Sequence, residues 1–474
     1  LDHIHSARTP RPGNAQVEVM MELRGKKTAV IGMGGTGLAV TGFILKRGAR
    51  VTCYDRKPGS EINGLDGMKS AITMVGGWDG NALDNEELVI VSPGVPMALK
   101  GIQTARQKGA DVISEIEFAS RFTKKKIIGI TGTNGKTTTV TLLGQILNDA
   151  GKKAGVGGNI GTPFIQLVEH DSEYGLYLLE LSSYQLEGIV SFRPWIAGLL
   201  NITDDHLDRY KDINDYAKAK LRIFMNQSID DYAVINAEDK YTVKGKRTIK
   251  SRPYCFTTSK RTRRGAYYKN GEILFIDGSG YKTAFTLNNP VLTGMHNVQN
   301  VMACIIASKL LDVPDTVIQE TINGFKGLPH RIQLVADIRG IKYYDDSKAT
   351  NVDAVVAALK TMSAPVILIM GGRDKEGDYS PLSGLIREKV KLLIVMGEAK
   401  ERISKAFHDL VRIAPVDSME SAVAAAVHDA RRGDSVLLSP ACSSFDMFLD
   451  YKQRGDMFTS AVMKINGEAL HEGL

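Results

Sequence analysis

Short apolar strands, each followed by a polar or glycine-rich loop and then a helical stretch, recur along most of this 474-residue chain. The pattern is clearest at Ile127–Thr131, which leads through a glycine loop into a helical stretch at Lys136–Ala150. Alternating short strands and helices are typical of parallel sheets, because parallel neighbours need a long crossover connection. The chain is therefore predicted to belong to the α/β class.

Three blocks of this kind follow one another, and roughly 100–200 residues per domain gives about three domains for this length. We predict a Rossmann-like N-terminal domain over 21–118, a P-loop-type central ATPase domain over 119–326 and a Rossmann-like C-terminal domain over 327–474. The stretch 240–287 is rich in turn residues, which favours antiparallel strands there. Residues 1–20 are polar and lack the apolar core of a signal peptide, so we interpret them as an extension of tag or non-native origin.

The composition excludes several classes of function. No apolar run approaches the 18 or so residues that a membrane span needs, so no membrane association is predicted. Four widely spaced cysteines form no CxxC pair, which argues against a zinc site or disulfide framework and fits the cytoplasm. The formal net charge of +7 is dispersed. A positive net charge favours the binding of anionic small molecules. The absence of a basic stripe with interleaved aromatics argues against nucleic-acid binding.

The sharpest local motif is the glycine loop at 131–138, which reads TGTNGKTT. Glycines let the backbone wrap closely around a phosphate, and the amides of a helix start attract its charge. Lys136 can reach the β- and γ-phosphates, and the Thr137 hydroxyl can bind Mg²⁺. Ile130 stands where a standard P-loop has glycine, so a simple Gly-Lys turn is the alternative. The flanking strand and helix favour an ATP site.

A second glycine motif, GMGGTG at 32–37, follows the first predicted strand, and Asp55 ends the next one. Alone, this pattern suggests dinucleotide binding and a dehydrogenase. More generally it marks a helix start that is ready for a diphosphate, and UDP would serve as well as NAD.

Two further candidates come at the ends of predicted strands. Glu180 lies in the strand 176–181, and His206 lies just beyond the strand 196–202. Ligands of open parallel sheets collect at the carboxyl ends of the strands, so both residues should face the same crevice as Lys136. A carboxylate beside Thr137 suits Mg²⁺ that is held partly by phosphate oxygens. A lone histidine is more often structural, so spacing alone leaves His206 open.

In the C-terminal block, three polar loops follow the predicted strands 342–345, 366–370 and 436–439. They read DDSKATN at 345–351, GGRDK at 371–375 and SPACSS at 439–444. Parallel strands would bring the three loops to one rim, where lysines and hydroxyls suit a dianionic substrate. The alternative is that these residues are ordinary helix caps.

Taken together in order, TGTNGKTT, ELSSYQL, NITDDHLDRY, MHNVQN, LPHR, DDSKATN and SPACSSFDMF resemble the Mur ligases, in particular those that add D-glutamate. The resemblance covers residues 21–474. It implies ATP-dependent ligation of D-glutamate to UDP-N-acetylmuramoyl-L-alanine through an acyl phosphate, in cytoplasmic peptidoglycan precursor synthesis, by a monomer that uses Mg²⁺. A dehydrogenase would leave the ATP loop unexplained, and a binding module without chemistry would leave Glu180 and His206 without a role.

The resemblance also implies site residues. Lys136, Glu180, His206 and Lys220 would be catalytic, and Lys220 would be N-carbamylated, although its spacing alone suggests a solvated helix lysine. The implied metal ligands are Thr137, Glu180, His206 and Lys220. The implied ATP contacts are Asn134, Gly135, Lys136, Thr137, Thr138, Asn300, Arg331 and Asp346. The implied UDP-sugar contacts are Gly34, Thr36, Asp55, Arg56, Ser92 and Asn159, and the implied D-glutamate contacts are Thr350, Lys375, Ser444 and Tyr451.

Overall fold

The protein is described by a computed structural model that covers residues 21–83, 85–204, 209–363, 365–373 and 378–471. Its strands fall into three separate sheets, which follow one another along the chain. The prediction of an α/β fold built from three blocks is confirmed.

The first block forms a five-stranded parallel sheet. Its strands are arranged so that the glycine turn after the first strand lies where the strand order reverses, the usual ligand position in such sheets. In chain order its elements are β1 (Lys27–Ile31), α1 (Gly35–Leu45), β2 (Arg50–Tyr54), β3 (Ile72–Val75), β4 (Leu88–Val91), α2 (Lys100–Gln107), β5 (Asp111–Ser114) and α3 (Glu115–Ser120). The sheet order is β3-β2-β1-β4-β5.

The second block forms a nine-stranded sheet. In chain order its elements are β6 (Ile127–Thr131), α4 (Lys136–Asp149), β7 (Ala154–Gly158), α5 (Phe164–Glu169), β8 (Leu176–Glu180), α6 (Ser183–Glu187), β9 (Ile196–Leu199), α7 (Ile213–Leu221), β10 (Tyr232–Asn236), α8 (Lys240–Gly245), β11 (Arg252–Thr257), β12 (Gly265–Lys269), β13 (Glu272–Ile276), β14 (Lys282–Thr286), α9 (Met295–Leu310) and α10 (Asp315–Gly324). The sheet order is β14-β13-β12-β11-β10-β9-β6-β8-β7.

The antiparallel strands predicted for 240–287 are found in only part of that stretch. β12, β13 and β14 pair in antiparallel fashion. The prediction is wrong for β11, which runs parallel to both β10 and β12. The short helix α8 leads the chain back over the sheet, so that β11 enters in the same direction as β10.

The third block forms a six-stranded sheet. In chain order its elements are β15 (Gln333–Ile338), β16 (Ile341–Asp345), α11 (Val352–Thr361), β17 (Val366–Gly371), α12 (Ser383–Lys389), β18 (Val390–Met396), α13 (Lys400–Phe407), β19 (Ile413–Pro415), α14 (Met419–Asp429), β20 (Ser435–Leu438) and α15 (Tyr451–His471). The sheet order is β15-β16-β20-β17-β18-β19, with only the β15–β16 pair antiparallel.

The first two blocks share one interior. A single apolar cluster extends from Phe43 and Phe118 in the first block to Phe164 and Tyr177 in the second. Beside it, the fully buried carboxylate of Glu117 on α3 accepts hydrogen bonds from three consecutive backbone N–H groups of the second block, at 190–192, over 2.7–2.9 Å. These contacts join the two blocks through desolvated, hydrogen-bonded groups.

Candidate active site

The glycine loop lies between β6 and α4, as the sequence predicts. Gly135 has a φ of 83°, a left-handed conformation that glycine adopts without a steric penalty. A Cβ atom at this position would lie 2.2 Å from Oδ1 of Asn300, on the second turn of α9. Gly135 therefore serves both the turn and the close packing of α9 on the loop.

Lys136 points back onto its own loop. Its Nζ donates hydrogen bonds to the carbonyl oxygens of Gly132, at 2.9 Å, and Thr133, at 2.7 Å. Asn201, beyond β9, braces the loop by accepting from the N–H of Asn134 at 2.8 Å and donating to its carbonyl at 3.0 Å. The loop conformation is thus held from two sides.

Glu180 ends β8, which pairs with β6 so that Ile130 and Glu180 are neighbours. The side chain is 2% exposed. Its Oε1 accepts a hydrogen bond of 2.9 Å from Nδ2 of Asn159, whereas its Oε2 is buried and has no hydrogen-bond partner among the described residues. A buried carboxylate oxygen without a hydrogen-bond partner destabilises the folded state unless a cation or a donor binds it. Glu180 is therefore well suited to hold a cation.

Lys220 lies on α7 and is only 1% exposed, so the interpretation of a solvated helix lysine is wrong. Its Nζ donates a hydrogen bond of 2.8 Å to the carbonyl of Gly132 and lies 4.5 Å from the ring centre of Tyr216. Packing of α7 against the phosphate loop explains the burial, which no local sequence signal indicates.

A cavity of about 780 Å³ opens over the loop. Its walls come from the first turns of α4 and α9 and from the third block. Burial and the nearby Arg331 lower the pKa of His296, on the first turn of α9, to about 4, so this imidazole is neutral at pH 7. The predicted residues that line the cavity are Asn134, Gly135, Lys136, Thr137, Thr138, Asn159, Glu180, Asn300, Arg331, Asp346 and Thr350. The structure therefore brings every predicted ATP contact to one cavity.

The described parts of the three polar loops of the third block, which include 371–373 but not 374–375, do meet on one rim, because β16, β20 and β17 are neighbours and parallel. Ser439 Oγ donates to the carboxylate of Asp346 at 2.8 Å. Burial raises the pKa of Asp346 to about 7. The side chain of Arg454 on α15 joins the loops by donating to the carbonyls of Ser347 and Cys442, at 2.8 and 3.1 Å.

Arg454 and Lys348 are two residues of this region that were not assigned a role from the sequence. Arg454 is 1% exposed, and nothing in a single sequence distinguishes it from the solvated arginines of other helices. Lys348 lines the cavity and lies 3.8 Å from the ring centre of Tyr451. Burial and the nearby Arg331 lower its pKa to about 8. Its place in the DDSKATN loop was the available signal.

The remaining predicted residues lie in several places. Ser444 is buried in the third block, and Tyr451 contacts Lys348. His206 and Lys375 lie outside the described residues. Asn159 belongs to the second block, where it contacts Glu180. The other predicted UDP-sugar contacts lie in the first block, either in the glycine turn after β1 or just beyond the ends of β2 and β4; they are Gly34, Thr36, Asp55, Arg56 and Ser92. There, the Asp55 carboxylate accepts the Met33 N–H at 2.7 Å.

A phosphate-type loop on a central, mostly parallel sheet, with a second glycine turn before it and a polar rim after it, defines a multidomain nucleotide-dependent enzyme of the α/β class. No helix of the described chain has the length and apolarity that crossing a membrane requires. Sequence comparison is more specific. Residues 26–114 match the MurD-like N-terminal domain of Mur ligases, residues 130–308 match the Mur ligase middle domain, and residues 330–442 match the glutamate ligase domain of Mur ligases.

The chain belongs to the Mur ligase family. It is 44% identical to the UDP-N-acetylmuramoylalanine–D-glutamate ligase of Geotalea daltonii over 94% of this chain and 99% of that protein. It is 41% identical to the ligase of the same name from Syntrophotalea carbinolica, over 94% and 100%.

Solved structures agree on the fold. A pseudomurein peptide ligase type C from Methanothermus fervidus aligns with a TM-score of 0.60 at 18% identity, covering 93% of this chain and 100% of that one. UDP-N-acetylmuramate-alanine ligase MurC from Thermotoga maritima aligns with a TM-score of 0.58 at 20% identity, covering 92% and 99%.

Proposed function

We propose that this protein joins D-glutamate to UDP-N-acetylmuramoyl-L-alanine, with cleavage of ATP to ADP and phosphate, in the synthesis of peptidoglycan precursors. The observation that carries the proposal is the cavity shared by three features: Lys136 on the phosphate loop, the lysine-bearing rim of the third block, and a carboxylate oxygen of Glu180 that has no hydrogen-bond partner among the described residues. The relatives at 40–44% identity over nearly the whole chain support the choice of substrates.

The triphosphate would bind the amides of 134–138 at the start of α4, where the helix dipole favours negative charge. Lys136 would exchange its two loop carbonyls for phosphate oxygens. Asn300, Arg331 and Asp346, which line the same cavity, would contact the rest of the nucleotide. These roles follow from their position in the cavity and from the family's motifs.

The site suits Mg²⁺. Thr137 contributes a hydroxyl, and Glu180 contributes a buried carboxylate oxygen without a partner among the described residues. The described chain contains no group of three or more His, Cys, Asp or Glu side chains placed to hold a metal. We propose, from the family's motifs, that the remaining ligands are phosphate oxygens and a modified lysine, with His206 as a further ligand. Bound Mg²⁺ would offset the negative charge that develops during phosphoryl transfer.

Lys220 is the proposed modified lysine. Its neutral amine would attack CO₂ and release a proton, which converts a cation into an anionic carbamate with oxygen ligands. A hard cation prefers such ligands, whereas an ammonium would repel it. The burial of Lys220 against the loop supports the proposal, because it places the amine beside the backbone that would hold the phosphates and Mg²⁺.

The chemistry takes two steps. The alanyl carboxylate attacks the γ-phosphorus of ATP, the bond to the bridging oxygen breaks, and ADP leaves an acyl phosphate behind. The amine of D-glutamate then attacks the acyl carbon, loses a proton and displaces phosphate. Lys136 would stabilise the anionic oxygens in the first step. Thr350, Lys375, Ser444 and Tyr451 are the proposed D-glutamate contacts.

Phosphate release with a panel of amino acids tests the function. We expect ATP cleavage that requires both UDP-N-acetylmuramoyl-L-alanine and D-glutamate, with little turnover on L-glutamate, L-alanine or a diamino acid. Turnover with one of these instead of D-glutamate would contradict the proposed substrate.

The glycine turn after β1 is the proposed UDP site, and NAD is the competing ligand. Calorimetry on the full chain separates the two. UDP-N-acetylmuramoyl-L-alanine should bind and NADH should not, and the reverse result would restore the dehydrogenase alternative. We also propose that the protein is a cytoplasmic monomer. Sedimentation at assay concentration would test its oligomeric state.

A further inference from the structure

Arg209 connects the first two blocks through its guanidinium group. One terminal nitrogen donates to the carbonyl of Pro93 at 3.1 Å, and the other donates to the carbonyl of Val95 at 3.2 Å. The second nitrogen also donates to the carboxylate of Glu187 at 2.9 Å. The Cζ atom of the group lies 3.9 Å from the ring centre of Tyr184. With its side chain 14% exposed, Arg209 is a largely buried cation that is held by three hydrogen bonds and one aromatic ring.

The two carbonyls belong to the turn 92–95, which packs directly on the glycine turn after β1. Ser92 Oγ donates to the carbonyl of Gly32 at 2.7 Å. A Cβ atom added to Gly32 would meet the Val95 side chain at 2.8 Å and the Ser92 Cβ at 3.1 Å. A shift of the turn 92–95 would therefore displace the glycine turn, where the proposed UDP diphosphate binds.

The carboxylate partner of Arg209 connects it to the proposed ATP and metal site. Glu187 is the last residue of α6, which begins three positions after Glu180. Glu187 is also fixed by the hydroxyl of Tyr210, which donates to it at 2.5 Å. Arg209 thus bridges the turn that supports the proposed UDP site and the helix that follows the proposed metal carboxylate.

We propose that Arg209 is a positioning residue. It holds the glycine turn after β1, which is the proposed UDP site, at a fixed distance from the ATP cavity. It aligns the alanyl carboxylate of the uridine-linked acceptor with the γ-phosphate. This inference rests on the proposed function, because it assumes that the acceptor spans the first and second blocks. Arg209 itself touches no reacting atom.

Lysine cannot replace arginine in this role. The planar fork of arginine donates to several acceptors in fixed directions and stacks on a ring, whereas an ammonium is a single point charge. Arg209→Lys keeps the charge beside Glu187 but cannot hold both carbonyls. Glu187→Gln keeps the shape and removes the charge that orients the guanidinium.

Steady-state kinetics on the full-length enzyme test the inference. For Arg209→Lys we expect the KM for UDP-N-acetylmuramoyl-L-alanine to rise about tenfold, while the KM for ATP changes less than about twofold. Glu187→Gln should shift the same constant in the same direction by a smaller factor. The matched control is Arg193→Lys. Arg193 is paired with Asp231 at 2.7 Å within the second block and should leave both KM values unchanged.

Thermal unfolding of each variant is the second measurement. Unchanged KM values for Arg209→Lys would overturn the inference. A parallel rise of both KM values with a lowered Tm would also overturn it, because a general loss of structure would then explain the result. Failure of the proposed function is distinguishable, since the wild-type enzyme would then show no phosphate release that depends on the uridine-linked acceptor and D-glutamate.

Discussion

The Nζ of Lys220 lies 2.8 Å from the carbonyl oxygen of Gly132, so a lysine of α7 is hydrogen-bonded to the first glycine of the phosphate loop. Lys136 donates to the same carbonyl at 2.9 Å. Two lysines from different elements therefore converge on one oxygen. If both were unmodified, their positive charges would repel each other. Conversion of Lys220 to a carbamate would turn this repulsion into attraction.

The first prediction concerns that lysine. Lys220→Ala should lower kcat by about a hundredfold or more, because loss of a metal ligand removes charge that the reaction needs. A short carboxylate such as acetate should restore part of the activity by filling the vacant ligand position. The measurement is phosphate release at several Mg²⁺ concentrations.

Lys218→Ala is the matched control. Lys218 lies on the same helix and its side chain is 75% exposed, so its loss should change stability by no more than about 0.5 kcal/mol and leave kcat intact. Full activity of Lys220→Ala at low Mg²⁺ would end the carbamate hypothesis.

The second prediction concerns Lys136. Lys136→Ala should raise the barrier of phosphoryl transfer by several kcal/mol, at about tenfold in rate per 1.4 kcal/mol, because the γ-phosphate loses its cation. Single-turnover kinetics at saturating ATP measure this step directly. Near-normal turnover in the variant would contradict the phosphate role.

The third prediction compares two glycines with left-handed backbones. Gly135→Ala should raise the KM for ATP strongly, because the new methyl group would displace Asn300 from the loop. Gly151→Ala is the control, since Gly151 has a φ of 70° and its added Cβ would meet nothing within 4 Å. It should cost about 1 kcal/mol of stability from backbone strain alone. Equal effects of both substitutions on the KM for ATP would refute the steric account.

The fourth prediction uses pH. Burial raises the pKa of Glu115 to about 7, while in the unfolded chain it is about 4.3. Between these values the folded state keeps a proton that the unfolded state has lost, so this group's stabilising contribution falls as pH rises through the window. Glu115→Gln does not titrate and can keep the hydrogen bond from Ile165 N, which is 2.7 Å long. The free energy of unfolding of the wild type, minus that of the variant, should therefore decline by roughly 1–3 kcal/mol between about pH 4 and 7. Urea unfolding across that range measures the difference, and a constant difference would contradict the prediction.

Much of the site follows from one rule that a single sequence can support. Residues at the carboxyl ends of parallel strands meet, and on that basis Glu180 was predicted to face Lys136 and the three C-terminal loops were predicted to share a rim. Both expectations hold because β6 pairs with β8, and β20 lies between β16 and β17.

Burial of individual helix residues was beyond the same reasoning. Lys218 and Lys220 are two positions apart in a run of alternating alanines and lysines, and they project on different sides of α7. One is exposed and the other is 1% exposed, a distinction that only the packing of α7 against the phosphate loop decides. The direction of β11 was missed for a related reason, because the path of the chain through α8, and not the strand's own residues, sets it.

The carboxylate of Glu117 has a consequence for how the chain unfolds. Its oxygens satisfy the N–H groups of 190–192 and the hydroxyl of Ser191, while Arg121 holds it from its own helix. If the first block melted alone, these amides would lose their acceptor and the shared apolar cluster would open to water. The free energies of the two blocks are therefore coupled, and residues 21–326 should lose structure in a single cooperative transition rather than one sheet at a time.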